Sequence, residues 1–193
     1  EGGPYSLDGA SDIAEPALSY VPASIHNVRL YQNQDELPTS HALSAPASLD
    51  SLEMGYNIAV HVGHGNKNVI RAGKDSYISM ESVSQLGNGI DRSGFVWLLD
   101  CTTTAIDHDC IAERFMNNPG GGSVALFGPT RYAFPATSRS YYWDWLDLLY
   151  NYGNVQTGPL CAGTKALHAS YGESGVDNTD RWTQLCTVLL GDP

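Results

Sequence analysis

The chain has 193 residues, a formal net charge of −11 and only 16% charged side chains against 42% hydrophobic ones. That balance excludes a disordered chain or a charged coiled coil and gives enough apolar mass for a single ordinary domain, or for the larger half of a domain built in two halves. The acidity opposes binding to nucleic acid or anionic membranes, and the sequence has no run of about eighteen apolar residues that would span a bilayer.

Residues 1–24, rich in Gly, Pro, Ser and Ala, read as an irregular arm. Its start, Glu1-Gly2-Gly3-Pro4, has neither an initiator Met nor a signal peptide and looks like a cleavage point, so the chain is expected to be one product of a longer precursor. His26 to Tyr31 alternates apolar and polar residues, the period of a strand. Residues 32–47, with Pro38 and Pro46, read as a loop, and Ser48 to Met54 as a short helix capped by Ser48.

Asn57 to Val62 is an apolar strand that stops at Gly63-His64-Gly65-Asn66. Residues 78–87 read as a short helix. Phe95 to Leu99 is a strand unbroken by charge, as in a sheet covered on both faces, and it ends at Asp100-Cys101-Thr102-Thr103-Thr104. Residues 108–116 place Ile111, Ala112, Phe115 and Met116 on one helical face, and Asn117 to Gly122 ends that helix. Ser123 to Phe127 is a third strand, closed by Gly128-Pro129. Ser138 to Tyr150 is an aromatic helix, Gly158 to Tyr171 another, and Val188-Leu189-Leu190 leads into Gly191-Asp192-Pro193. Strands alternating with helices imply an α/β layer with a mainly parallel sheet, whose sites form at the carboxyl ends of strands. Two of the three central strands end on His64 and Cys101.

A thiol nucleophile needs a base that later protonates the leaving amine, and donors for the oxyanion. His64 suits the first task. The N–H groups of Gly65 and Cys101 suit the second, because glycine lets a substrate approach closely. The turn at Thr102 to Thr104 is placed to favour a thiolate. A buried, inert thiol and a packing histidine are the bland alternatives for Cys101 and His64 taken singly; their shared place at strand ends favours chemistry. Zinc is the rival constellation, with His61, His64, Cys101, His108 and Cys110 all legal ligands. The His61–His64 spacing is poor for a helix, Cys101 to Cys110 is too wide for a knuckle, and His61 sits mid-strand, so the expected metal set is none. Cys161 and Cys186 read as core thiols in preference to a disulfide.

The segments Val60-His61-Val62-Gly63-His64-Gly65 and Trp97-Leu98-Leu99-Asp100-Cys101 resemble the His-Gly and Cys elements of gingipain-type peptidases, family C25. Asp109 to Phe115, Gly121 to Ala125, Gly128 to Arg131 and Leu189 to Pro193 continue the resemblance, which covers roughly residues 50–193. It implies a caspase-like three-layer α/β/α sandwich, with residues 1–50 as an arm and edge and 51–193 as the catalytic subdomain. It implies a cysteine endopeptidase with Cys101 and His64 as the dyad, the N–H groups of Gly65 and Cys101 as the oxyanion hole, and no cofactor for catalysis. Thr130, Tyr132 and Phe134, after the third strand, are the implied substrate-binding residues, and the acidic chain favours cleavage after basic residues. A protein or peptide substrate, structural calcium without named ligands, and a secreted or cell-surface bacterial setting follow as expectations. Two departures stand out. The glycine common after the family's Cys is replaced by Thr103, Thr104 and Ala105, and most of the α/β half that precedes the His is absent. A companion chain from the same precursor is therefore expected. A sortase-like transpeptidase and a silent binding module are the rival functions.

Overall fold

In a computed structural model the described residues are 7–37, 39–169 and 178–191. The expectations for Glu1 to Pro4, Pro38, Tyr171 and Asp192-Pro193 lie outside them. The elements are α1 (Glu15–Ala17), β1 (Leu30–Tyr31), β2 (His41–Ala42), α2 (Ala45–Met54), β3 (Ile58–Val62), β4 (Val69–Arg71), β5 (Tyr77–Ser79), α3 (Met80–Ser84), β6 (Gly94–Leu99), α4 (Ile111–Asn117), β7 (Ser123–Pro129), α5 (Pro135–Tyr150), α6 (Thr157–His168), α7 (Asn178–Cys186) and β8 (Thr187–Gly191).

A four-stranded sheet of order β3-β6-β7-β8 forms the centre. The first three strands are parallel and β8 joins antiparallel to β7. The unbroken apolar runs do bury both faces. Phe95, Trp97, Leu99, Ala125 and Phe127 point to one side, under α5, α6 and the arm. Val96, Leu98 and Leu126 point to the other, under α2, α3 and α4. This is the three-layer α/β/α arrangement, produced by the two-residue period of a strand. The first face is aromatic: the Trp97 ring meets Phe127, Tyr142 and Trp145 edge-on at centroid distances of 4.9, 5.6 and 5.1 Å. The second is mainly aliphatic, filled by Ile70, Ile78, Val83 and Ile111 together with Phe115.

Several local expectations are corrected. The arm is not irregular. A π-helical turn at Gly9–Ala14, α1 and a 3₁₀ turn at Leu18–Tyr20 form a continuous helical stretch. Asp8 starts it by accepting from the N–H groups of Ala10 and Ser11, and Ile13 and Ala17, four residues apart, are buried on the aromatic face. Of the strand expected at 26–31 only β1 forms, paired parallel with β2 away from the central sheet; Ile25 and Val28 are exposed, so the alternation has no core to face. Helix α2 begins three residues early because Ser44, not Ser48, is the cap: its hydroxyl accepts from Ala47 N–H at 3.3 Å. Pro46 then sits in the first turn, where its missing N–H costs nothing. The 78–87 helix is split, with Tyr77–Ser79 pairing antiparallel to β4 before α3 starts at Met80. Helix α7 was not anticipated.

Candidate active site

Strands β3 and β6 pair in parallel with Val62 opposite Leu99. His64 and Cys101 each follow that pair by two residues, just beyond the carboxyl ends of neighbouring strands. Gly63 N–H still donates to the Leu99 carbonyl, which carries the ladder one step past the strands. Gly65 then turns against the second loop. A Cβ on it would lie 2.8 Å from Thr103 Cγ2 and 3.1 Å from Asp100 Cβ, so only glycine lets the two loops touch. Gly65 faces Ile70 in a narrow bridge whose two hydrogen bonds, Arg71 N–H to the His64 carbonyl and Asn66 N–H to the Val69 carbonyl, flank it. Neither uses the Gly65 N–H.

His64 is exposed and Cys101 half-buried. Ala133 N–H points at the Cys101 sulfur, 3.5 Å away. Thr102 follows with φ +54°, a left-handed conformation uncommon for a β-branched residue, held by its N–H donating to the Arg131 carbonyl at 3.0 Å. The Cys101 loop and the loop after β7 are thereby joined, and the Arg131 guanidinium adds a two-pronged bond to Asp107, both distances 3.1 Å. Arg131 and a backbone hydrogen bond within the loop hold the Asp107 carboxyl below the ordinary carboxylate range.

All four cysteines are free. Burial raises the pKa of Cys110, which starts α4, and of Cys186, and pushes Cys161 up to about 11.

His61 is integral to the strand and engaged at both ring nitrogens. Nδ1 lies 2.8 Å from Asp100 Oδ1 and Nε2 lies 2.9 Å from the Arg71 carbonyl. Burial lowers its pKa, but the charge and hydrogen bond of Asp100, aided by the Arg71 carbonyl, prevail and hold it above the ordinary value. His108 lies out by Asp107. Among the described residues no three His, Cys, Asp or Glu side chains converge as metal ligands do.

Beside Cys101, a shallow depression is lined by Trp97, Leu98, Leu99, Tyr132, Ala133 and Tyr141, with Thr183, Cys186 and Thr187. Because β8 runs antiparallel, its start and the end of α7 arrive at the same rim as the ends of β6 and β7. Tyr132 belongs to this depression and is 70% exposed; its carbonyl accepts from Trp182 Nε1 at 2.7 Å. The Thr130 hydroxyl is spent on the Cys186 carbonyl. Phe134, 39% exposed, precedes α5 and does not line the depression. The contributions of Trp97, Tyr141 and α7 were missed in the sequence, since the aromatic residues read there as core and α7 was not recognised.

Solved structures with this architecture exist. The crystal structure of the Arg-specific cysteine proteinase gingipain R is similar over 78% of this chain and 35% of its own, with TM-score 0.66 and 17% identity. The complex of Porphyromonas gingivalis RgpB pro- and mature domains is similar over 100% of this chain and 45% of its own, with TM-score 0.72 and 17% identity. A structure described as a protease gives 0.69 and 13% over 93% and 43%. The chain thus spans less than half the length of each. No curated protein sequence matches it. Residues 2–193 match the sequence profile of peptidase family C25, arm included, beyond the residues 50–193 that carry the motif resemblance. On that match over nearly its whole length, the chain belongs to peptidase family C25.

Proposed function

We propose that the chain carries the nucleophile and the acid–base group of a cysteine endopeptidase. Cys101 attacks the scissile carbonyl, His64 takes the thiol proton and returns it to the leaving amine, and water then releases the acyl group from the thioester. The N–H groups of Gly65 and Cys101 receive the oxyanion. The observation that supports this reading is that the loops bearing His64 and Cys101 follow the paired ends Val62 and Leu99 of neighbouring strands, with Gly65 wedged against the Cys101 loop. The depression beside Ala133 is the place for the side chain that precedes the cleaved bond, with Tyr132 at its mouth and Thr130 and Phe134 shaping the loop that bears it. Preference for a basic residue there is supported by the net charge of −11. A companion segment, a secreted or surface setting and structural calcium belong to the same reading; among the described residues no helix is long and apolar enough to cross a membrane.

The test is labelling with iodoacetamide at mildly acidic pH, followed by peptide mapping, alongside cleavage of a peptide library. Cys101 is expected to label fastest, because burial disfavours the thiolate at Cys110, Cys161 and Cys186. His64→Ala should remove that advantage and Cys101→Ala should abolish cleavage. Equal labelling of Cys101 and Cys186, with library cleavage surviving in Cys101→Ala, would refute the assignment.

A further inference from the structure

His61 lies three residues before His64 on β3, and Asp100 immediately before Cys101 beyond β6. Strand alternation turns both side chains to the aliphatic face, away from the depression beside Cys101. The Asp100 side chain is fully buried and that of His61 is 17% exposed. The Arg71 carbonyl only accepts, so Nε2 carries a hydrogen. An ionised Asp100 also only accepts, and opposite it Nδ1 would carry one as well, making the ring an imidazolium. The second Asp100 oxygen is buried with no hydrogen-bond partner among the described residues, so His61 is the cation available to offset that carboxylate. The other charged group near the ring, the Arg71 guanidinium, is turned away to the carbonyls of Gly73 and Lys74.

We propose that His61 is a positioning residue: as an imidazolium it clamps Asp100, and with it the Cys101 loop, to the strand and turn that carry His64. The clamp is continuous. Arg71, whose carbonyl receives Nε2–H, donates its own N–H to the His64 carbonyl. One ring therefore ties together the residue before Cys101 and the backbone partner of His64. The proton on Nε2 is the removable one, because Nδ1–H faces a carboxylate and Nε2–H only a neutral carbonyl. Without it a lone pair faces the Arg71 carbonyl, that contact turns repulsive, and the tie to the turn that carries His64 is released. The alkaline limit of activity is thus set partly by a side chain that never touches substrate. This deepens the dyad reading and rests on it.

The first measurement, on the full-length protein, is ¹⁵N NMR of the His61 ring against pH, which needs no catalysis. Two protonated nitrogens at neutral pH and a titration midpoint above the ordinary histidine value of about 6.5 are expected. A singly protonated ring at pH 7 overturns the proposal while leaving Cys101 and His64 untouched. The second is the iodoacetamide rate of Cys101 against pH in His61→Ala and Asp100→Asn. The side-chain amide introduced by Asp100→Asn can donate to a neutral ring and keep the tie, so this variant should retain most of the rate and lose the alkaline fall that matches the NMR midpoint. His61→Ala should lose about 10²-fold, the scale of a small misplacement of reacting groups. If Asp100→Asn and His61→Ala are equally impaired at every pH, the pair is only a packing element and the proposal fails. If Cys101 in the wild type is no more reactive than Cys186, the dyad reading fails instead, whatever the ring shows.

Discussion

The two faces of the sheet are built to different rules. On the side of α5 and α6, Trp97, Phe127, Tyr142 and Trp145 meet at fixed ring angles; on the side of α3 and α4, Val96, Leu98, Leu126 and Ile111 fill space without directional contacts. The ends of the strands inherit the division. Residues 97, 99 and 101 share one parity, and Cys101 opens beside the depression that Trp97 and Leu99 line. Residues 98 and 100 share the other, and Asp100 meets His61 there, although Leu98 also contributes to the lining of the depression. On the proposed assignment, a period of two residues sorts Cys101 and Asp100 into reacting and bracing roles.

The largest effect separates the faces directly. Trp97→Ala should cost about 4 kcal/mol, since truncating a buried aromatic removes transfer energy and leaves a cavity, and here three ring contacts go with it. Leu98→Ala, equally buried but on the aliphatic face, should cost about 3 kcal/mol. Urea unfolding midpoints decide this; equal losses would mean that the ring geometry adds nothing beyond area. Smaller is the pH dependence contributed by His61. Its folded pKa is raised by Asp100, against the opposing effect of burial, so the stabilisation is complete below about pH 6.5 and is lost as pH rises through the folded value. Wild type should lose more of its urea midpoint than His61→Gln across that alkaline window. Smallest is Thr102→Gly, which relieves a left-handed β-branched residue worth about 1 kcal/mol but frees the turn beside Cys101. Thermal stability should change little while iodoacetamide reactivity of Cys101 falls.

What could be read from the sequence was what local pattern controls. Unbroken apolar runs marked β3, β6 and β7, and their ends marked His64 and Cys101 as candidates, because parallel strands deliver their carboxyl ends to one edge. What escaped depended on distant partners or on competing local signals. His61 enters the sequence only as a zinc candidate set aside for its mid-strand place, because its partner Asp100 is 39 positions away. Ser44 and Ser48 both suit a helix start, and Pro46 in the first turn favours the earlier one. The Ile13–Ala17 spacing lies among glycines and prolines that read as irregular. Helix α7 buries Thr183 while Trp182 and Leu185 stay exposed, so its apolar spacing does not mark the face that meets the rim.

The antiparallel entry of β8 beside β7 bears on how fast the molecule forms. Ala125 pairs with Gly191 and Pro129 with Thr187, so the last ladder of the sheet closes across α5, α6 and α7. The β3–β6 pairing closes across β4, β5 and α3. Long closures spend loop entropy before any contact returns it, which makes such topologies slow folders. The α5–α6 pair is local and can dock early, whereas the rim beside Cys101, which needs β6, β7 and β8 together, is completed only when the most distant strand arrives.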